Sequence, residues 1–204
     1  MWAQVESNNV VKVFTRPKAL TIGDINYPSN IFTIWSAEEL EAIGIYEVVI
    51  DNTNLKDKEY YINTNQSFNF ASGAVTASYD TATAKALADT LFTAQDETNG
   101  LGTEGEVKAK GLKTIKKENI NKEAGSILQP TDWMVIRATE GGTAVPSSIT
   151  TQRAAVRTKA NEMCTAIDNA ADVDALAALY EYTNTGTESN PVYTRPLGEL
   201  PQVG

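Results

Sequence analysis

The chain contains no histidine. That absence excludes a Ser-His-Asp triad, an imidazole zinc site and an imidazole proton relay. It contains 1 cysteine, Cys164, so no disulfide closes within the chain and no thiolate cluster forms. Long apolar runs are missing as well. Ile45 to Ile50 is broken by Glu47, and a membrane span needs about 20 consecutive apolar residues. Met1 to Ser7 has neither the basic start nor the apolar stretch of a secretory signal. Basic charge is also scarce. Lys and Arg number 17 against 26 Asp and Glu, a formal net charge of -9. Such a surface repels phosphate backbones and argues against a general nucleic-acid binder.

What remains is enough for a core. The chain has 204 residues, 42% of them hydrophobic, the size of one ordinary domain or two small ones. Its first 79 residues have the periodicity of strands. Trp2 to Glu6 and Val10 to Phe14, joined by turn-forming Ser7-Asn8-Asn9, predict a hairpin that Pro17 ends. Ile22 to Pro28 predicts a second small turn. Ser36 with Glu39 three residues on is a capping box, Leu40 and Ile43 share a face, and Gly44 stops the helix. Ile45 to Ile50 reads as a strand, and Tyr60 to Ile62 as another. Phe68 and Phe70, then Val75, Ala77 and Tyr79, alternate with polar residues about Ser72-Gly73, which predicts a further hairpin.

From Asp80 the period lengthens. Ala84, Leu87, Ala88 and Leu91 predict a helix capped by Asp80, followed by a flexible polar loop over 93–105. Leu112, Ile115, Ile120, Ala124, Ile127 and Leu128 form an amphipathic stripe. Asp132 to Thr139 predicts a short helix ended by Gly141-Gly142. Ile149, Val156 and Met163 recurring at seven, with Ala160 and Ile167 in the other seam position, predict a helix that packs on helices, and Asp172 caps the last one. Pro191, Pro196 and Pro201 exclude a helix after Thr183. The expected architecture is α+β: a small antiparallel β-rich domain with one short helix over 1–79, a helical domain over 80–182 and an extended tail over 183–204.

Motifs that carry chemistry fail on context. Gly100-Leu101-Gly102-Thr103-Glu104-Gly105 has the spacing of a dinucleotide loop, but an acidic stretch stands where a strand is needed. Asp51 to Asp57 begins like a calcium loop and has neither the sixth-position Gly nor the twelfth-position Glu. Asp172 and Asp174 suit a helix start. No serine has a lysine three residues later, which removes a Ser-Lys dyad. Lys108, Lys110, Lys113, Lys116, Lys117 and Lys122, on one predicted helix and interleaved with glutamates, predict a solvated helix face with i,i+4 pairs or equally a face that meets an acidic partner. Cys164 reads as a semi-buried structural thiol, and Trp2, Trp35 and Trp133 as core or interface anchors. The expectation is no enzyme, no catalytic, cofactor-binding or metal-binding residue, and no cofactor. A pair of carboxylates doing glycan hydrolysis, or a glycan-binding module, is the alternative.

Val13-Phe14-Thr15-Arg16-Pro17 reappears as Val192-Tyr193-Thr194-Arg195-Pro196. Val192, Tyr193, Leu197 and Leu200 give the tail more apolar content than a solvated terminus needs. The tail is therefore expected to be a contact element, with Val192 to Thr194 adding as a strand to a sheet edge in this chain or a neighbouring subunit.

Two segments support a resemblance. The first runs from Trp2 to Ile50, with Ile25-Asn26-Tyr27-Pro28-Ser29-Asn30-Ile31-Phe32 and Trp35-Ser36-Ala37-Glu38-Glu39-Leu40. The second holds Leu128-Gln129-Pro130-Thr131-Asp132-Trp133, Ile136-Arg137, Glu140-Gly141, Val145-Pro146, Arg153 and Arg157. They resemble the tail-fibre assembly and tail assembly chaperone families of tailed bacteriophages, and the layout is similar to hypothetical proteins of marine T4-like phages. The resemblance implies a non-enzymatic tail or tail-fibre assembly factor or minor virion component, in the virion or in the host cytoplasm during assembly. It implies phage tail or tail-fibre proteins as partners, with self-association, and no nucleic acid or membrane. In that reading Thr131 or Asp132 caps a short helix, Trp133 packs under it, and Arg137 and Arg153 bind Glu140 or a partner's acids. The candidate interaction residues are Trp133, Arg137, Arg153, Val192, Tyr193 and Arg195.

Overall fold

The computed structural model describes residues 1–203. It is an α+β protein of two compact units, one from Met1 to Thr83 and one from Ala84 onward. The first unit begins with strands β1 (Trp2–Glu6) and β2 (Asn9–Phe14). Ser7 and Asn8 between them both have left-handed backbones, with φ of 48° and 64°. That turn matches the right-handed twist of paired strands. A hairpin of β3 (Leu20–Ile22) and β4 (Ile25–Tyr27) follows, then a single turn α1 (Ile31–Ile34) and helix α2 (Ala37–Ala42). The capping box is formed: the Glu39 amide donates to Ser36 Oγ, and the Ser36 amide donates to Glu39. Gly44, at φ 77°, ends α2, and an added Cβ there would lie 2.9 Å from the Val5 carbonyl.

Strand β5 (Ile45–Asp51) leads through β6 (Tyr61–Ile62) to the hairpin β7 (Ser67–Ala71) and β8 (Ala74–Ser78); β9 (Thr83–Ala84) closes the series. Five of these strands form one sheet in the order β2-β1-β5-β8-β7. It is not purely antiparallel as expected, because β5 and β8 run parallel. The long connection over residues 52–73 is what permits that pairing, since parallel neighbours need a crossover. Period two sends side chains to opposite faces. Trp2 and Ile45 join Phe14, Leu20, Ile31, Phe32 and Leu40 in one core. Ala3, Tyr46 and Val48 join Val75, Ala77, Phe68 and Phe70 in another. The sheet curls enough to bring its edges β2 and β7 near each other and to set the Tyr46 and Phe70 rings 4.7 Å apart.

The second unit departs from its expected form at the start. Residues 80–91 are not helical. They run extended, with Lys85, Leu87 and Asp89 half-buried at alternate positions. The carbonyls of Ala86 and Leu87 accept the amides of Leu112 and Lys113, and the Asp89 carboxylate accepts the Gly111 amide at 2.7 Å. The segment thus satisfies the free amides at a helix start, a tertiary gain that outweighs a helical preference whose apolar face, half of it alanine, has little surface to bury. Gly111 is required there, because a Cβ would lie 2.3 Å from Ala88 backbone atoms.

The expected loop over 93–105 is also structured. Strands β10 (Thr90–Leu91) and β11 (Val107–Ala109) pair, and between them helix α3 (Ala94–Thr98) is capped by Thr93 with Asp96. Helix α4 (Leu112–Leu128) and helix α6 (Ser147–Asn169) pack along Leu112, Ile120 and Ala124 and along Val156, Ala160, Met163 and Ile167. Helix α5 (Asp132–Thr139) lies between them in sequence, entered by a 3-10 turn over Gln129–Thr131. Asp172 caps α7 (Val173–Ala178), accepting from the Ala175 amide. The tail is folded: β12 (Thr183–Asn184) pairs with β13 (Tyr193–Thr194), and Leu197 and Leu200 are buried. No helix is long and apolar enough to cross a membrane among the described residues.

The lysine cluster is not one solvated face. Lys108 lies in β11 and pairs with Asp96 at 2.8 Å. Lys113 donates to the Asp168 carbonyl, and Lys117 pairs with the Asp168 carboxylate at 2.7 Å, both from α4 to α6. Lys116 is buried, its ammonium 4.1 Å from the Tyr180 ring centroid. It occupies the core stripe Leu112-Lys116-Ile120-Ala124 at i,i+4 spacing.

Candidate protein-interaction surface

Helix α5 is set on α6 by one guanidinium. Arg153 Nη1 donates to the Leu128 carbonyl at 2.7 Å and to Thr131 Oγ1, and Nη2 pairs with the Asp132 carboxylate at 2.7 Å. The side chain is only 11% exposed. A planar fork serves three acceptors at once, which an ammonium cannot do. Thr131 stands at the N-cap position, but its hydroxyl donates back to Leu128, so the expected capping is absent. The arginine draws that hydroxyl away from the helix amides.

No residue of α5 is buried. Trp133 is 53% exposed, Ile136 57% and Val135 38%. Trp133 was expected to pack under the helix and instead lies on its outer side, with the Arg137 guanidinium 4.8 Å from its ring centroid. Trp133-Met134-Val135-Ile136 is a continuous apolar run, so its side chains point around most of the helix. A short helix docked along one side must then leave some of them outside. Arg137 does not bond Glu140; its Nε is buried without a hydrogen-bond partner. Beside α5, Val135, Val145, Thr150, Arg153 and Arg157 line a concavity of about 270 Å³. That is slightly below the range of small-molecule pockets, about 300–1,000 Å³, and suits an inserted side chain better than a cofactor.

The tail candidates separate into two kinds. Arg195 is an internal clasp. It donates to the Gly198 carbonyl, pairs with Glu199 at 2.8 Å and lies between Tyr180 and Tyr182, at 5.6 and 5.4 Å from their centroids. The Tyr182 hydroxyl donates to the same Glu199, and that bond pushes the phenol up. The Leu197 amide donates to the Leu179 carbonyl. Val192 and Tyr193, by contrast, stay 48% and 63% exposed on a hairpin. Tyr193 pairs with Asn184 within the tail, not with an edge of the five-stranded sheet.

Other motifs find structural places. Gly100 and Gly105 take left-handed turns, φ 70° and 83°, between α3 and β11. The Asp51 carboxylate accepts from the Thr53 amide and hydroxyl, bonds that lower its pKa. No group of three acidic or cysteine side chains placed to hold a metal occurs among the described residues. Glu162 and Glu199 share a shallow groove along α6, and each faces a cation, Lys159 and Arg195. The Cys164 thiol is half-buried, near Asn121 Oδ1, and burial pushes its pKa up. This is an unreactive setting for a thiol.

The assembled surface is an exposed aromatic and aliphatic helix beside a side-chain-sized hollow with arginines on it. Such a surface can bind protein. Ile136 and Arg157 belong to it beyond the six candidates; the uninterrupted apolar run over 133–136 is the sequence signal for Ile136, and Arg157 has none. No protein-family model, curated protein or solved structure matches the chain.

Proposed function

We infer that this is a non-enzymatic protein of a tailed bacteriophage that works by protein contacts, as a tail or tail-fibre assembly factor or as a minor virion component. The observation that carries the binding role is the outward apolar side of α5, Trp133 with Ile136, held in place by the Arg153 fork. Exposed tryptophan beside an unpaired arginine is the composition of an interface centre and not of an ordinary solvated helix. The tail assignment rests on the resemblance, and the segment Leu128 to Arg157 that bears the resemblance also bears this surface.

Mass spectrometry of purified virions and of tail intermediates from the encoding phage is the test. The chain is expected in one or both, and absence from both overturns the tail assignment. Replacing Ile136 by Asp in the tagged full chain should abolish recovery of tail proteins and leave the melting temperature nearly unchanged. Undiminished recovery removes α5 from the binding role.

A further inference from the structure

Helix α3 stops in a way that sets up a reaction of its own chain. The Gly100 amide donates to the Glu97 carbonyl and the Leu101 amide to the Asp96 carbonyl, both at 2.9 Å. This pair of bonds is the helix stop that needs a left-handed residue just past the cap. Gly100 supplies it, at φ 70°. The cap itself is Asn99, so the stop creates the one Asn-Gly step in the chain. Every other asparagine precedes a residue that bears a side chain. Asn99 and Gly100 are both exposed. The amide carbon of an asparagine side chain can be attacked by the next backbone nitrogen, and a glycine nitrogen has no neighbouring Cβ to obstruct the approach.

The folded geometry keeps the two atoms apart. Asn99 has ψ 0°, which eclipses the Gly100 nitrogen with Asn99's own nitrogen and turns it away from the Asn99 side chain. Closing a five-membered ring requires that nitrogen to swing to the Cβ side, and the swing breaks its bond to Glu97. The Gln95 amide also holds Asn99 Oδ1 at 3.1 Å. The last turn of α3 must therefore open first. No residue of α3 is buried. The helix is held at its start by the Thr93–Asp96 cap and by the Lys108–Asp96 pair at 2.8 Å. A five-residue helix fixed only by exposed polar bonds opens locally far more often than the core unfolds.

We propose that Asn99 is a site of spontaneous deamidation whose rate is set by the opening of α3. In the opened helix the Gly100 nitrogen bonds to Asn99 Cγ and gives up its proton to water. The Cγ–Nδ2 bond breaks, ammonia leaves, and a succinimide remains. Water then adds to either ring carbonyl and leaves aspartate or isoaspartate at position 99. The product places a new negative charge at the C-terminal end of the helix, where the macrodipole disfavours it. Isoaspartate also lengthens the main chain by a methylene, so the stop at Gly100 loses its register. Modified copies accordingly keep α3 open.

Timed incubation of the full chain at neutral pH, followed by peptide mass mapping, tests this. The readout is a gain of one mass unit, with isoaspartate, at position 99. Asn99 is expected to react before any other asparagine of the folded chain, and faster in urea than when folded. Thr93→Ala removes the cap and should raise the folded-state rate about fivefold, with no change in urea. Gly100→Ala should slow the reaction in urea, where no fold is at stake. Another asparagine reacting first in the folded chain, or a Gly100→Ala protein as fast as wild type in urea, overturns the site. A rate that is equal folded and in urea, or that ignores Thr93→Ala, overturns control by α3.

Discussion

The two units hold their elements together by different means. From Met1 to Thr83, side chains alternate across a curled sheet and fill two apolar cores, one around Ile31, Phe32 and Ile45, the other around Ala3, Val75 and Ala77. From Ala84 onward, apolar seams between helices are supplemented by long cations set inside the structure. Lys116 lies under Tyr180, Arg153 ties α5 to α6, and Arg195 clasps the tail. A period-two sheet can close on apolar side chains because every second residue already points inward. A short helix such as α5 and a strand pair such as β12–β13 expose most of their residues and need specific bonds to be held. Elements fixed by bonds at one side leave the other side open, and in this protein that open side is the candidate binding surface.

The largest expected effect tests the folded tail. Deleting residues 196–204 removes Leu197 and Leu200, which are 2% and 6% exposed. At about 2 kcal/mol or more for each buried leucine lost, the deletion should destabilise the second unit by at least about 4 kcal/mol. Denaturant unfolding followed by far-ultraviolet circular dichroism measures it, and an unchanged midpoint would show the tail to be a mere terminus. Next comes Ile45→Ala in the first unit. Ile45 is 0% exposed, so truncation should cost about 2–5 kcal/mol, with no dependence on salt in the same measurement.

Arg153 sharpens the contrast. Arg153→Ala leaves the Leu128 carbonyl and the Thr131 hydroxyl without this donor and should cost about 2 kcal/mol. Arg153→Lys should recover little of it, since the fork and not the charge serves the three acceptors. Full recovery by lysine would mean that charge alone holds α5. The smallest effect is local and pH-dependent. The Lys108 ammonium first, then the Thr93 amide and hydroxyl, hold the Asp96 carboxyl down to about 2, below the ordinary 3.8. The stabilisation from these bonds is whole above the ordinary value and is lost as pH falls through about 2. The Thr93 amide resonance should accordingly keep its position from neutral pH to about 4 and move as acid titrates Asp96. A shift already complete at the ordinary carboxylate value would remove the capping account of α3.

Much of the first unit is legible in its residues. Ser36 with Glu39, Gly44, the Ser7-Asn8 turn and the alternation about Ser72-Gly73 act within a few positions of themselves. Their effects are local, and the structure has each of those elements. The parallel β5–β8 pair was not legible, because partner choice between distant strands depends on the whole sheet. The extended course of residues 80–91 was hidden for a related reason: its hydrogen bonds go to α4, more than twenty residues on.

Val13-Phe14-Thr15-Arg16-Pro17 and its copy at 192–196 separate the local from the nonlocal most directly. Both strings form strand and then stop before Arg-Pro, since β-branched and aromatic residues favour extended backbone and proline ends a ladder. That much follows from the residues alone. Yet Phe14 is 4% exposed beside Phe32, and Tyr193 is 63% exposed on a hairpin. Backbone preference is a property of a residue and its neighbours, whereas burial depends on which distant surface arrives to cover it. Folding therefore makes one copy part of a core and leaves the other available for contact.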